Sequence, residues 1–258
     1  MKLVAILRVK DEILWIRECL SKLSELADEI IVLDNGSTDG TLEVISEFNK
    51  VVKILHTEGY HEGRDKCLLL EEAKKRTPDW IIWIDGDEVF EKHFTRAVID
   101  SYMKSRYNKI LFKLCHFWLN KEYFRIDGPL FAYTVGPQRS MWRNAPDTHF
   151  SSRKMHNGDI RSINGPFYVS PYRLKHYGCA DKKKMQEKYD RYKAVDDTGE
   201  RTYEHMNPNA KTIRLKFWEF DNYFVNLIYI LIYKYITNIL NLLILAKRRL
   251  VKIIYDYI

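Results

Sequence analysis

The sequence predicts an α/β protein, a mainly parallel sheet with helices on both faces, followed by a C-terminal helical extension. Three observations predict it. Short apolar runs recur at 3–9, 30–33, 51–55 and 80–84, as expected of strands buried within a sheet. Segments with helical spacing stand between them, joined by short loops, so strand and helix alternate. From Lys211 onward the chain turns into a long helical region rich in Leu, Ile, Tyr and Phe.

Each element follows from its residues. "LVAILRV" (3–9) reads as a buried first strand, too short and too quickly followed by charge to be a signal peptide. "DEILWIRECLSKLSEL" (11–26) places Ile13, Ile16, Leu20 and Leu23 on one helical face. "EIIVLDNGSTDGTLEVISEF" is strand, turn and helix, with Asp39 or Thr41 suited to capping that helix. "VVKIL" is a strand and "GRDKCLLLEEAKKR" (63–76) a helix, and Pro78 separates that helix from the strand "WIIWI". Beyond residue 105 the rhythm changes. "KILFKLCHFWL" (109–119) is strand-like, Gly-, Pro- and aromatic-rich loops follow, and "DKKKMQEKYDRYKAV" (181–195) is a polar helix. An antiparallel or irregular section is therefore expected beside the parallel half.

Charge is uneven. Residues 1–100 carry 14 Lys/Arg against 21 Asp/Glu, whereas residues 101–258 carry 28 against 14. The acidic part suits cation chemistry and the basic part an anionic partner such as a phosphate, although a solvated surface accounts for much of both. Acidic strand ends argue against nucleic acid. The cysteines, Cys19, Cys67, Cys115 and Cys179, form no CxxC pair, which argues against a zinc site or a disulfide framework and fits a reducing compartment.

In parallel sheets ligands bind at the carboxyl ends of strands. Asp34 and Asp85 both stand at such ends. "WIIWIDGDEVF" (80–90) crowds Asp85, Asp87 and Glu88 after an apolar run, and a metal ion, a proton or plain solvent must offset their repulsion. If strand geometry persists, Asp85 and Asp87 project to one side, with Gly86 leaving room for a ligand. Two hard carboxylates there suit Mg²⁺ or Mn²⁺ bound with a diphosphate, and a surface turn is the plain alternative. An EF-hand is a poor fit, because Phe90 stands where its glycine belongs. "LDNGSTDGT" (33–41) is a capped strand-to-helix loop with or without a ligand. No Walker lysine and no GxGxxG is present.

Taken together, "AILRVKDEILWIRECLSKL", "DEIIVLDNGSTDGTLEVI", "GRDKCLLLEEA" and "DWIIWIDGDEVF" resemble, in order and spacing, the family 2 glycosyltransferases, above all bacterial enzymes of lipopolysaccharide core and other surface glycans. The resemblance is strong over residues 2–92. It implies the GT-A fold, a nucleotide-binding αβα sandwich, and inverting sugar transfer from a nucleotide-sugar, a UDP-sugar first, to a glycan or glycolipid. Under it, residues 1–205 form the catalytic domain, with 1–105 the nucleotide-sugar half and 106–205 the acceptor half, and 206–258 the C-terminal helical region. Asp34 resembles the aspartate that binds the base, Arg64 an arginine near base or diphosphate, and Asp85 and Asp87 the DxD pair holding Mn²⁺ or Mg²⁺ and the sugar diphosphate. Lys10 and Glu12 stand where the family lines the nucleoside pocket, with Asp11 where relatives often have Asn. "QRSMWRN", "RKMHNG" and "RLKHYG" resemble later family elements, with Asn157 where relatives often have Glu. Transfer needs a proton acceptor. Asp147, His149, His156 and Asp159 are the candidates, Asp147 and His156 first, and His156 is alternatively a third metal ligand. His176 ranks below it. Trp118, Tyr123, Tyr133 and Trp142 fit an acceptor wall or ordinary core.

Two rival readings remain. A sugar nucleotidylyltransferase calls for a glycine-rich basic loop after the first strand, and "LRVKDEILW" has no glycine. A non-catalytic membrane- or glycan-binding protein would rely on the basic half. In the C-terminal region, Asn226, Lys234, Thr237, Asn238 and Asn241 form a polar stripe, and Lys247, Arg248, Arg249 and Lys252 follow. Such a helix suits the membrane interface or a homodimer contact better than a span. The expected location is the cytoplasm, with peripheral contact at the cytoplasmic face of the membrane as the variant.

Overall fold

The computed structural model of the protein describes residues 1–125, 137–154 and 158–195, with short pieces between 206 and 216. His156, Tyr133 and the C-terminal helical stripe lie outside the described residues. The parallel half opens with β1 (Leu3–Val9), α1 (Ile16–Leu26), β2 (Glu29–Asp34), α2 (Thr41–Ser46), β3 (Val51–His56), α3 (Glu62–Lys75) and β4 (Trp80–Asp85). The second part holds β5 (Glu88–Phe90), α4 (Arg96–Met103), β6 (Lys109–His116), β7 (Tyr123–Arg125), β8 (Pro137–Arg143), β9 (Phe167–His176), α5 (Lys182–Val195) and β10 (Arg214–Lys216).

Eight strands form one sheet in the order β3-β2-β1-β4-β8-β6-β9-β5. The first four are mutually parallel. β8 then runs antiparallel to both β4 and β6, while β6 and β9 pair in parallel and β5 closes the edge antiparallel to β9. The expected antiparallel section is thus a mixed one.

Alternation along the strands sorts the core into two layers. Leu3, Ala5, Leu7 and Val9 face one side, where Ile16, Leu20 and Leu23 of α1, Val44 and Ile45 of α2 and Ile99 of α4 cover them. Val4 and Ile6 face the other, with Ile31, Leu33, Ile81 and Trp83, under Leu69, Leu70 and Ala73 of α3. The result is the αβα sandwich the sequence predicts. Helix α1 starts five residues later than its spacing suggests, because residues 11–15 are spent on the strand-to-helix loop. Trp118 and Trp142 are fully buried, so the core reading holds for both, whereas Tyr123 is exposed.

Strand direction decides where the site lies. β6 and β9 run the same way as β4, so the carboxyl ends of β1, β2, β4, β6 and β9 share one edge. Lys10, Asp34, Asp85, His116 and His176 therefore meet there, along with Arg139 from the amino end of β8. The loop after β8 falls at the opposite edge.

Candidate active site at the strand ends

Two loops build one wall. Asp11 has φ 55°, a left-handed conformation that aspartate tolerates better than most side chains. Its Oδ1 accepts the Thr38 N–H at 2.7 Å, while its own N–H donates to Ser37 Oγ at 2.9 Å. The Glu12 N–H donates to Thr41 Oγ1 at 2.8 Å and that of Ile13 to Asp39 Oδ2 at 3.2 Å. Asp34, 1% exposed, accepts the Gly36 and Ser37 N–H groups at 2.9 and 3.1 Å. The polar residues of "DNGSTDG" thus lock the β1–α1 and β2–α2 loops together. Asn35 extends the lock inward, donating to Thr57 Oγ1 at 2.7 Å and to the buried Asp65 at 2.9 Å. Arg64 braces the neighbouring loop, binding Asp65 through Nε at 2.8 Å and the carbonyls of Glu58 and Gly59.

The acidic turn divides into two differently partnered halves. β4 stops at Asp85 and the chain turns at Gly86 and Asp87, so strand alternation does not carry through as the sequence reading required. A Cβ at Gly86 would stand 2.9 Å from Val9 Cγ1 and 3.2 Å from Glu12 Cγ. Close packing against the first loop, and not ligand access, explains that glycine. Asp85 accepts from Arg139 Nη2 at 2.7 Å, and Arg8 Nε lies 3.9 Å away. Glu88 is fully buried and accepts from Arg139 Nε at 2.6 Å. Burial raises its carboxyl pKa even against the Arg139 charge.

Asp87 sits apart from Arg139, with Lys188 Nζ at 3.2 Å and His176 Nε2 at 3.3 Å. Burial alone would raise this carboxyl, but Lys188 and His176 outweigh it and hold Asp87 well below the usual range. Burial works against the Lys188 charge too, yet Asp87 foremost, with Tyr192, Cys179 and Glu12, keeps the ammonium firmly protonated. The His176 Nδ1 shares a hydrogen bond of 2.7 Å with His116 Nδ1. Burial, and then the neighbouring His176, push His116 well below the normal imidazole range, so it stays neutral. A Cβ at Gly178 would come within 2.4 Å of Asp87 Oδ2, 2.5 Å of Lys188 Nζ and 3.0 Å of His176 Nε2. These three groups converge on one point.

Ligand atoms of Asp87, Glu88 and His176 lie within 4.8 Å of one another, the one such cluster among the described residues. Asp85 Oδ1 is a buried acceptor without a hydrogen-bond partner, whereas Glu88 Oε1 lies 2.5 Å from Arg139 Nη2. Two carboxylates and an imidazole, with the unpartnered Asp85 Oδ1 nearby, fit a divalent cation such as Mn²⁺ or Mg²⁺.

Beside this cluster lies a cavity of about 290 Å³, whose lining includes Lys10, Glu12, Trp15, Asp87, Lys188 and Arg191. A smaller one of about 50 Å³ adjoins it, reaching Arg8, Asn35, Tyr60, Asp85 and Tyr192. Burial, then the Asp87 charge, raise the Glu12 carboxyl well above the normal range.

Of the sequence-predicted residues, the structure brings Lys10, Glu12, Asp34, Asp85 and Asp87 to one edge, with Arg64 behind them. It does not bring Asp147. β8 runs antiparallel to β4, with Arg143 opposite Trp80, so Asp147 is exposed at the far edge, roughly 17 Å from Asp85 at about 3.4 Å per strand residue. His149 is exposed in the same loop, and Asp159 is tied to Lys109 at 2.8 Å and Ser140 at 2.6 Å. His176, ranked low from the sequence, is central. Lys188 was read only as part of a polar helix, and the lone signal for it was its place in a basic segment following an acidic half.

The fold and site together define a layered α/β sandwich with an acidic pocket, able to hold a metal ion, at its strand ends. Residues 5–155 match the Glycosyl transferase family 2, and the chain belongs to that family. It is 34% identical over 83 residues to a TPR repeat-containing protein of Synechococcus elongatus, covering 31% of this chain and 19% of that one. It is 21% identical over 165 residues to an uncharacterized protein of Mycobacterium tuberculosis, covering 61% of this chain and 40% of that one. The chain thus spans less than half the length of these relatives. Among solved structures it is similar to S. aureus TarS 1–349 in complex with UDP, with 17% identity, 76% of this chain and 67% of that chain covered, and a TM-score of 0.47. A glucosyl-3-phosphoglycerate synthase of M. tuberculosis, in complex with Mn²⁺, UDP and glucosyl-3-phosphoglycerate, gives 16%, 55%, 56% and 0.37 in the same order.

Proposed function

We propose that the protein moves a sugar from a nucleotide-sugar, a UDP-sugar first among candidates, to a hydroxyl of a glycan or glycolipid, with inversion at the anomeric carbon. The assembly of lipopolysaccharide or another cell-surface polysaccharide is the proposed setting. One observation carries the reading: Asp87, His176 and Lys188 converge at the strand ends beside a cavity lined by both acidic and basic side chains, in a chain of family 2.

In this reading the nucleoside lies toward Asp34, Asn35 and Tyr60, and the diphosphate toward the Asp87 edge. Asp87, Glu88 and His176 would hold a divalent cation, Mn²⁺ by preference because an imidazole is in the set. Such a cation, when bound, offsets the negative charge that builds on the departing diphosphate. Arg139 keeps Asp85 and Glu88 in place from the neighbouring strand. His116, being neutral, fixes the His176 ring through Nδ1 and leaves Nε2 turned to Asp87. The rival nucleotidylyltransferase reading loses ground because Lys10, Asp11 and Glu12 occupy the first loop without any glycine.

No helix among the described residues is long and apolar enough to cross a membrane. In this proposal the protein is cytoplasmic, and a glycolipid acceptor would bring it to the inner membrane surface, where Lys247, Arg248, Arg249 and Lys252 would meet anionic headgroups. A homodimer contact through the same segment is the alternative.

The test is release of nucleoside diphosphate from a panel of nucleotide-sugars with Mn²⁺. Asp87→Asn keeps the side chain's shape and should lower release by about 100-fold or more while the variant still melts cooperatively. A variant that turns over at the wild-type rate refutes the proposal.

A further inference from the structure

Helix α5 is the basic face of the site. Lys182 and Lys183 are exposed, but Lys184, Lys188 and Arg191 recur at helical spacing and turn toward the strand tips. Lys184 Nζ donates to the Asp11 carbonyl at 2.9 Å and lies 3.5 Å from both Asp39 and Glu187. Lys188 holds Asp87. One turn further on, Tyr192 packs edge-on against Tyr60, ring centroids 5.9 Å apart. The helix is therefore pinned to the parallel half at three successive levels.

Arg191 differs from its neighbours. It lines both cavities, and its Nε is buried with no hydrogen-bond partner. Arg8 Nη1, at the wall of the smaller cavity, is in the same condition. A buried donor left unsatisfied is costly, so two of them on residues that line one cavity favour an acceptor that arrives from outside. An anionic, oxygen-rich group suits these guanidinium and ammonium donors, which stand among the acids Glu12, Asp85 and Asp87 that line the same cavities. Lys188 need not release Asp87 to take part, since an ammonium has three donors and Asp87 occupies one.

We infer that Lys188 and Arg191 form a clamp for the donor's diphosphate, set on α5 and carried by neither loop of the parallel half. The clamp rests on the donor reading above and adds to it the residues that distinguish a diphosphate from a monophosphate or a bare nucleoside. Lys10, whose Nζ bonds the Gly36 carbonyl and lies 3.2 Å from Asp11, serves the wall between the two cavities instead.

Titration calorimetry on the full chain tests it, with UDP, GDP and CDP as probes in EDTA and again in Mn²⁺. The nucleoside diphosphate that binds is then compared with its own monophosphate and nucleoside. Arg191→Met should weaken the diphosphate about tenfold and leave nucleoside affinity unchanged, one charge-assisted hydrogen bond being worth about that factor. Lys183→Met, on the exposed face, should match the wild type. Lys188→Met leaves Asp87 without its ammonium, so its binding is read beside a thermal melt, and Arg191→Met stands as the independent check. Wild-type diphosphate affinity and selectivity in Arg191→Met overturn the clamp and leave the donor reading intact. A wild type that binds none of the three diphosphates overturns the donor reading and the clamp with it.

Discussion

Gly178→Ala adds a single methyl group at the tightest point of the site. Gly178 is not among the positive-φ residues, so alanine fits its backbone and the perturbation is purely steric. The new Cβ would stand 2.4 Å from Asp87 Oδ2, about 1 Å inside ordinary van der Waals contact. Lys188 Nζ, at 2.5 Å, is the end of a long chain and can swing aside. Asp87 is short, buried and held from two directions, so moving it sacrifices the Lys188 or the His176 contact. Overpacking of this kind costs about 1–3 kcal/mol, and one charge-assisted hydrogen bond a similar amount. Because the two overlap, the net loss should be about 2 kcal/mol, or roughly 4–8 °C in Tm for a chain of this size. Displacing Asp87 by about 1 Å should lower donor turnover by about 100-fold. Differential scanning fluorimetry and nucleoside diphosphate release measure the two effects. A variant that melts within about 1 °C of wild type and keeps full turnover refutes the convergence of Asp87, His176 and Lys188 on that point.

Two further outcomes follow from the same structure. Lys66 is fully buried, with Nζ 2.5 Å from Glu62 and 3.6 Å from the Trp83 ring centroid, and burial lowers its pKa to about 8. The folded state then binds fewer protons than the unfolded one between pH 8 and the ordinary lysine range, so wild-type stability should climb relative to Lys66→Met across that window, by at most about 3 kcal/mol; urea melts at pH 7.5 and pH 10 check the sign. Asp147→Asn, at the opposite sheet edge, should leave donor hydrolysis within about twofold of wild type in the same release assay.

The parallel half was legible because its strands advertise themselves. Ile30–Leu33 and Trp80–Ile84 are apolar without interruption, and α1 shows one clean stripe. The pocket's position followed from strand ends alone. What stayed hidden depended on direction and distance. Asp147 follows an arginine-bearing strand and reads as a site residue, but only the antiparallel pairing of β8 with β4 reveals that its loop emerges at the wrong edge. His176 reaches Glu88 through the β5–β9 pairing, across 88 residues of sequence. Lys188 looks like one more solvated charge in a polar helix, and its burial against Asp87 is a tertiary fact. "DGD" misled for a local reason: the chain turns at Gly86, so a period of two ceases to apply.

The interleaving of the sheet has a consequence for biogenesis. β4 finishes its inner edge only when β8 arrives, and β5, although it follows β4 directly, pairs only with β9. A nascent chain that had emerged as far as α4 would pair one edge of "WIIWID" with β1 and leave the other edge open, an invitation to intermolecular strand addition. The parallel half therefore does not mature ahead of the rest, and the ribosome must release about forty further residues, from Met103 at the end of α4 to Arg143 at the end of β8, before its central strand is sheltered.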